Sequence, residues 1–119
     1  MHDQLSSRTK QFALRVIKVV ESLPENKTSR AIGNQLLRSA TSVGANYRAA
    51  RRGRSAAEFR EKLGIVEEEA DESIYWLELI IESGLLPENR LTDLIKEANE
   101  ILSMVIASIK TSRNNEKSK

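Results

Sequence analysis

Four arginines fall within seven residues, Arg48, Arg51, Arg52 and Arg54, around Gly53; Arg60 and Lys62 follow. A guanidinium is a rigid fork of donors that matches a phosphate group. Contacts to phosphate carry most of the affinity for nucleic acid that is independent of base sequence. Complementing the dipole of a helix C-terminus needs fewer charges than this. These six side chains are the candidate nucleic-acid-binding residues. Aromatic residues make up 4% of the chain, and only Tyr47 stands beside the cluster. Base stacking therefore has little support, and the chemistry expected is phosphate contact.

The cluster closes a basic half. Residues 1–62 carry 13 Lys/Arg against 5 Asp/Glu, whereas residues 63–119 carry 6 against 12. The overall charge of +2 hides this segregation. Opposed charged halves suggest self-association, an anionic partner, or both.

The acidic half contains Glu67-Glu68-Glu69-Ala70-Asp71-Glu72. Helical di-iron proteins add a Glu-x-x-His motif to such carboxylates. The only histidine here is His2, there are no cysteines, and adjacent glutamates on a helix point in different directions. The run reads as a solvated face or as a partner for arginines. A Ser–His–Asp triad is excluded, and the five glycines, at 33, 44, 53, 64 and 84, form no phosphate loop. We expect no enzyme activity, no cofactor and no metal.

Four helices must position these groups. Leu5, Phe12, Val16, Val19, Val20 and Leu23 share one face and predict a helix over residues 5–23, stopped by Pro24. Thr28 or Ser29 is expected to cap a second helix over 28–52, with the stripe Ile32, Leu36, Ala40, Val43, Tyr47 and Ala50. Ser55-Ala56-Ala57-Glu58 matches a capping box opening a third helix over 55–83. Its stripe is Phe59, Leu63, Val66, Ala70, Ile74, Leu77 and Ile81, and Gly84 is its expected left-handed terminator. A fourth helix is expected over 90–111, followed by a polar, frayed tail at 112–119. No stretch alternates with period two. The fold class is all-α: one domain, 1–119, an antiparallel up-down-up-down four-helix bundle. Without a signal-like terminus or an apolar run of about 20 residues, a soluble cytoplasmic protein with no membrane partner is expected.

Two further groups stand out. Ile65, Trp76, Leu79 and Ile80 lie roughly 200–300° round the third helix from Phe59, away from its core stripe. They are the candidate oligomer interface; the plainer reading is a wide core stripe with Ile80 and Trp76 at its margin. Arg38, Ser42 and Asn46 step by four beside the core stripe of the second helix and could form a buried polar network.

The run Leu37-Arg38-Ser39-Ala40-Thr41-Ser42-Val43-Gly44-Ala45-Asn46 resembles the signature of the four-helix-bundle proteins associated with intervening sequences in bacterial 23S ribosomal RNA genes. Ser55-x-x-Glu58-Phe59, Leu63-Gly64-Ile65 and Ala70-Asp71-Glu72-Ser73-Ile74 extend the similarity, which covers roughly residues 8–112. Many members follow the Asn with a Glu-Gly pair, where this chain has Ala49 and Ala50. The resemblance implies a four-helix bundle assembled as a ring-shaped homopentamer. The family also includes the accessory variability determinant of diversity-generating retroelements, a basic pentamer that binds nucleic acid and a reverse transcriptase. The expectation is a non-enzymatic homo-oligomeric bundle, a pentamer, that binds RNA or DNA and could have a reverse transcriptase or other protein partner. The rival is an assembly or protein-interaction module with no nucleic-acid binding, in which the arginines pair with Glu67–Glu72 of a neighbouring subunit.

Overall fold

The computed structural model describes residues 3–118, so His2 and Lys119 lie outside it. The order is α1 (Gln4–Glu21), α2 (Lys27–Arg51), α3 (Ala56–Glu82), a short 3-10 turn over Glu88–Arg90, and α4 (Thr92–Lys117). The connections are short, each helix packs on its neighbours in sequence, and α4 closes back on α1. The result is a four-helix bundle of 54 × 22 × 21 Å with no strand among the described residues.

Each boundary has a local cause. Ser55 sits in extended backbone and its hydroxyl accepts the Glu58 N–H at 3.1 Å, the serine half of the expected capping box; the return bond from the Ser55 N–H to the Glu58 carboxylate is not formed. Ser55→Ala is expected to lower the unfolding free energy by about 0.5–2 kcal/mol. An unchanged thermal midpoint would show that the hydroxyl contributes nothing. At the other end of α3, Gly84 takes φ +79°, the left-handed conformation that a side chain disfavours. Leu85 N–H donates to Ile80 at 3.1 Å and Gly84 N–H to Ile81 at 3.0 Å, the paired bonds of a Schellman terminus.

Three boundaries differ from expectation. α2 is capped by Asn26, not by Thr28 or Ser29: the Asn26 side chain accepts the Ser29 N–H at 2.8 Å. The Ser29 hydroxyl is buried without a hydrogen-bond partner. α1 ends at Glu21, where Ser22 turns its backbone N–H and hydroxyl back onto the last helical carbonyls. α4 continues through the residues expected to fray, because Arg60 of α3 donates to Ser112 at 3.2 Å and pairs with Glu116.

The stripes form the core. Phe12, Val16, Leu36, Val43, Leu63, Val66, Leu77, Leu91, Ile101 and Val105 are at most 1% exposed. Ile80 is 0% exposed in the single chain, so it belongs to this core and lines no subunit interface. Its azimuth on α3 is oblique to the main stripe, but it lies two turns from Ser73, on the side of α3 that meets Ser39 of α2. One buried polar contact crosses the core: Ser73 donates to Ser39 at 2.9 Å, both at 0% exposure. Arg8 of α1 donates twice to Glu97 of α4, at 2.9 and 2.6 Å. The hydrogen bond from Arg8 holds the Glu97 carboxyl below the usual carboxylate range against the opposing effect of burial.

Candidate nucleic-acid interface

α1 and α2 run antiparallel, so the beginning of α1 meets the end of α2. Small residues let them approach closely: a Cβ on Gly44 would stand 3.5 Å from the Thr9 carbonyl oxygen. Asp3 ties the ends together. It caps α1 by accepting from the Ser6 N–H and hydroxyl, accepts the Tyr47 hydroxyl at 2.7 Å, and pairs with Arg51. Burial pushes the Tyr47 phenol above its ordinary range.

Above this joint lies an open groove of about 760 Å³ whose lining includes Lys10, Thr41, Arg48, Arg51 and Arg52. Four cations face it, against Asp3 as its single carboxylate. Tyr47, its one aromatic, is 6% exposed and holds its hydroxyl on Asp3, so it offers no stacking face. Ser7 adds a neutral hydroxyl donor, whereas the hydroxyls of Ser6 and Thr41 are spent on Asp3 and on the Leu37 carbonyl. Such a surface can hold phosphate oxygens and has little with which to read bases.

The structure thus brings Arg48, Arg51 and Arg52 together, with exposed Arg54 just beyond the Gly53 turn. Arg51 is half engaged by Asp3. Arg60 is elsewhere: its side chain is 17% exposed and turned onto α4. Lys62, half-buried on α3, does not line the groove. Lys10 and Asp3 were missed as site residues. Lys10 lies 38 positions before Arg48, and only the α1–α2 pairing brings them to one groove; Asp3 had a local signal, an acid placed to cap the first turn.

Arg38, Ser42 and Asn46 do not form one network. Asn46 donates to the Ser42 carbonyl and hydroxyl at 2.9 and 2.7 Å. Arg38 instead reaches across to α3, where it pairs with Glu69 at 3.3 Å and with Glu72. The Arg38 hydrogen bond, aided by the Trp76 indole N–H, holds the Glu72 carboxyl below its ordinary range. Two of the run's acids therefore face an arginine of their own chain. Among the described residues, no group of three His, Cys, Asp or Glu is placed to hold a metal. No helix among them is long and apolar enough to cross a membrane.

Of the remaining interface candidates, Ile65, Trp76 and Leu79 are half-buried, and Trp76 also packs against the core. Tyr75, not singled out from the sequence, is the most exposed large apolar side chain among the described residues at 53%. Its ring meets Trp76 edge-on with centroids 5.0 Å apart.

The model of a family described as 23S rRNA-intervening sequence protein matches residues 3–107. Among solved structures, the chain is similar to a protein of unknown function from the S23 ribosomal protein family of Bacteroides thetaiotaomicron. The two share 33% identity and a TM-score of 0.84, over 89% of this chain and 98% of that one. No curated protein matches the chain.

Proposed function

This chain belongs to the 23S rRNA-intervening sequence protein family, and we propose that it is a non-enzymatic, homo-oligomeric bundle that binds RNA or DNA through phosphates. The observation that carries the reading is the α1–α2 groove, where Lys10, Arg48, Arg51 and Arg52 face solvent without an accessible aromatic. The family resemblance supports five copies in a ring. Each copy would present one groove, and contacts at several copies would add along one strand through effective concentration.

Binding is expected to rise with strand length, to differ little between sequences, and to fall steeply with salt. A site neutralising about four phosphates loses on the order of 100-fold in affinity between about 50 and 200 mM salt. Fluorescence polarisation with labelled RNA and DNA of increasing length measures this, with light scattering on the same samples. If the intact oligomer binds neither nucleic acid at low salt, the reading is wrong. Mass near five times 13.4 kDa supports the pentamer.

The rival reading, an assembly module without nucleic acid, draws on the same charge segregation. Arg38 already occupies Glu69 and Glu72 within one chain, which leaves Glu67, Glu68 and Asp71 for a neighbour.

A further inference from the structure

Among the described residues three large apolar side chains are strongly exposed: Leu14, Tyr75 and Ile106. Two of them share a geometry. Leu14 is on the outer side of α1 and Tyr75 on that of α3, the diagonally related helices of the bundle. Thr9 stands against Gly44, and Ser39 against Ser73. Counted along the helices from these two anchors, Leu14 and Tyr75 lie at the same level of the bundle to within roughly 3 Å, at about 1.5 Å per residue.

The charges around them are opposite. Lys10 and Lys18 stand one turn to either side of Leu14. Asp71 and Glu78 stand one turn to either side of Tyr75, with Glu68 and Glu82 two turns out; two turns from Leu14 stand Ser7 and Glu21, so the opposition of charge is confined to the nearest turn. The two lysines and the four acids of α3 are exposed, and none belongs to an ion pair among the described residues. α1 and α3 run in the same direction, so the order Lys10–Leu14–Lys18 matches the order Asp71–Tyr75–Glu78.

The geometry points to a second copy of this chain as the occupant of both faces: the α1 face centred on Leu14 packs on the α3 face centred on Tyr75 of a neighbouring copy, with Lys10 and Lys18 opposite Asp71 and Glu78. This rests on the homo-oligomeric reading above and supplies its contact. Like faces repel, lysine against lysine and carboxylate against carboxylate, so the contact joins unlike faces. A heterologous contact closes into a ring when successive copies are related by rotation alone and runs into a filament when they also climb. Matched levels make the climb small and favour the ring. Tyr75, edge-on to Trp76, is the aromatic anchor of the contact. Arg48 lies about 13 Å further along α2 than the level of Leu14, so the groove's arginines stay outside the contact, which takes only Lys10 from the groove's cations.

The test uses two full-length variants, Leu14→Asp and Tyr75→Asp, each at an exposed position that the core does not need. Circular dichroism confirms the fold, and light scattering at micromolar concentration reads the mass. The parent is expected to be an oligomer and each variant a monomer of 13.4 kDa. An equimolar mixture is expected to form a dimer and nothing larger, because each variant keeps one intact, different face. A monomeric parent would overturn the homo-oligomeric reading along with this contact. An oligomeric parent whose two variants keep its mass would overturn this contact alone. Two monomeric variants that stay monomeric when mixed would overturn the pairing of unlike faces.

Discussion

The double replacement Arg48→Glu and Arg52→Glu is expected to remove RNA and DNA binding alike while leaving the fold and the oligomer intact. Both side chains are exposed and neither belongs to an ion pair among the described residues, unlike Arg51, which Asp3 engages, and Arg60, which holds α4. Their loss should therefore act on the groove without unfastening a helix. The milder pair Arg48→Gln and Arg52→Gln isolates the electrostatics. Each phosphate contact removed is expected to lower the slope of log affinity against log salt by about 1, and a slope smaller by about 2 corresponds to a loss on the order of 100-fold near 50 mM salt. The loss should be uniform across sequences, since the contacts are to phosphate. Polarisation titrations at several salt concentrations measure it. Parent-like affinity and slope in the glutamate variant would mean that nucleic acid, if bound, is bound elsewhere.

Phe12→Ala is expected to cost about 3–5 kcal/mol of unfolding free energy, through lost transfer energy plus the cavity left behind. Phe12 is 1% exposed and central to α1, the shortest of the four helices at 18 residues. α1 also supplies Lys10 and the Asp3 joint, so loosening it should widen the groove and weaken nucleic-acid binding, although Phe12 touches no part of it. Phe12→Leu keeps an apolar side chain at the site and is expected to cost less and to restore binding. Urea titration with an unchanged slope but a lower midpoint is the expected signature. A midpoint within about 1 kcal/mol of the parent would show that α1 contributes little to the core.

The helices were legible because their signals are local. Period-3.6 stripes such as Leu63, Val66, Ala70, Ile74 and Leu77 reflect one buried face, and that face is buried whatever the neighbour's exact register. Ser55 and Gly84 were legible because a cap and a left-handed terminator depend on backbone within a few residues. Local signals also compete, as where Asn26 takes the α2 cap from Thr28 and Ser29, and helix ends held by distant partners carry no local signal at all. The last turns of α4 are polar, and only Arg60, some 50 residues earlier, holds them.

The candidate site divides in the same way. Its arginines were evident because charges that are close in sequence around one turn are also close in space, and composition alone showed that stacking aromatics were scarce. Which of them face a common groove was not evident, because that depends on the azimuth at which two helices meet. The pairing of α1 with α2 added Lys10 and Asp3, and the pairing of α3 with α4 withdrew Arg60. Charge also conceals its partner: Arg38 shares a four-residue spacing with Ser42 and Asn46, yet α3 brings Glu69 and Glu72 within its reach. Ile80 entered the core, and Tyr75 took the exposed place beside Trp76. The sequence by itself determined four amphipathic helices, the cap and terminator of the third and a segregation of charge, since each follows from steric and polar preferences over a few residues. Only the tertiary structure decided which charges remain open to solvent, because that depends on the relative rotation of packed helices, which no single stripe specifies.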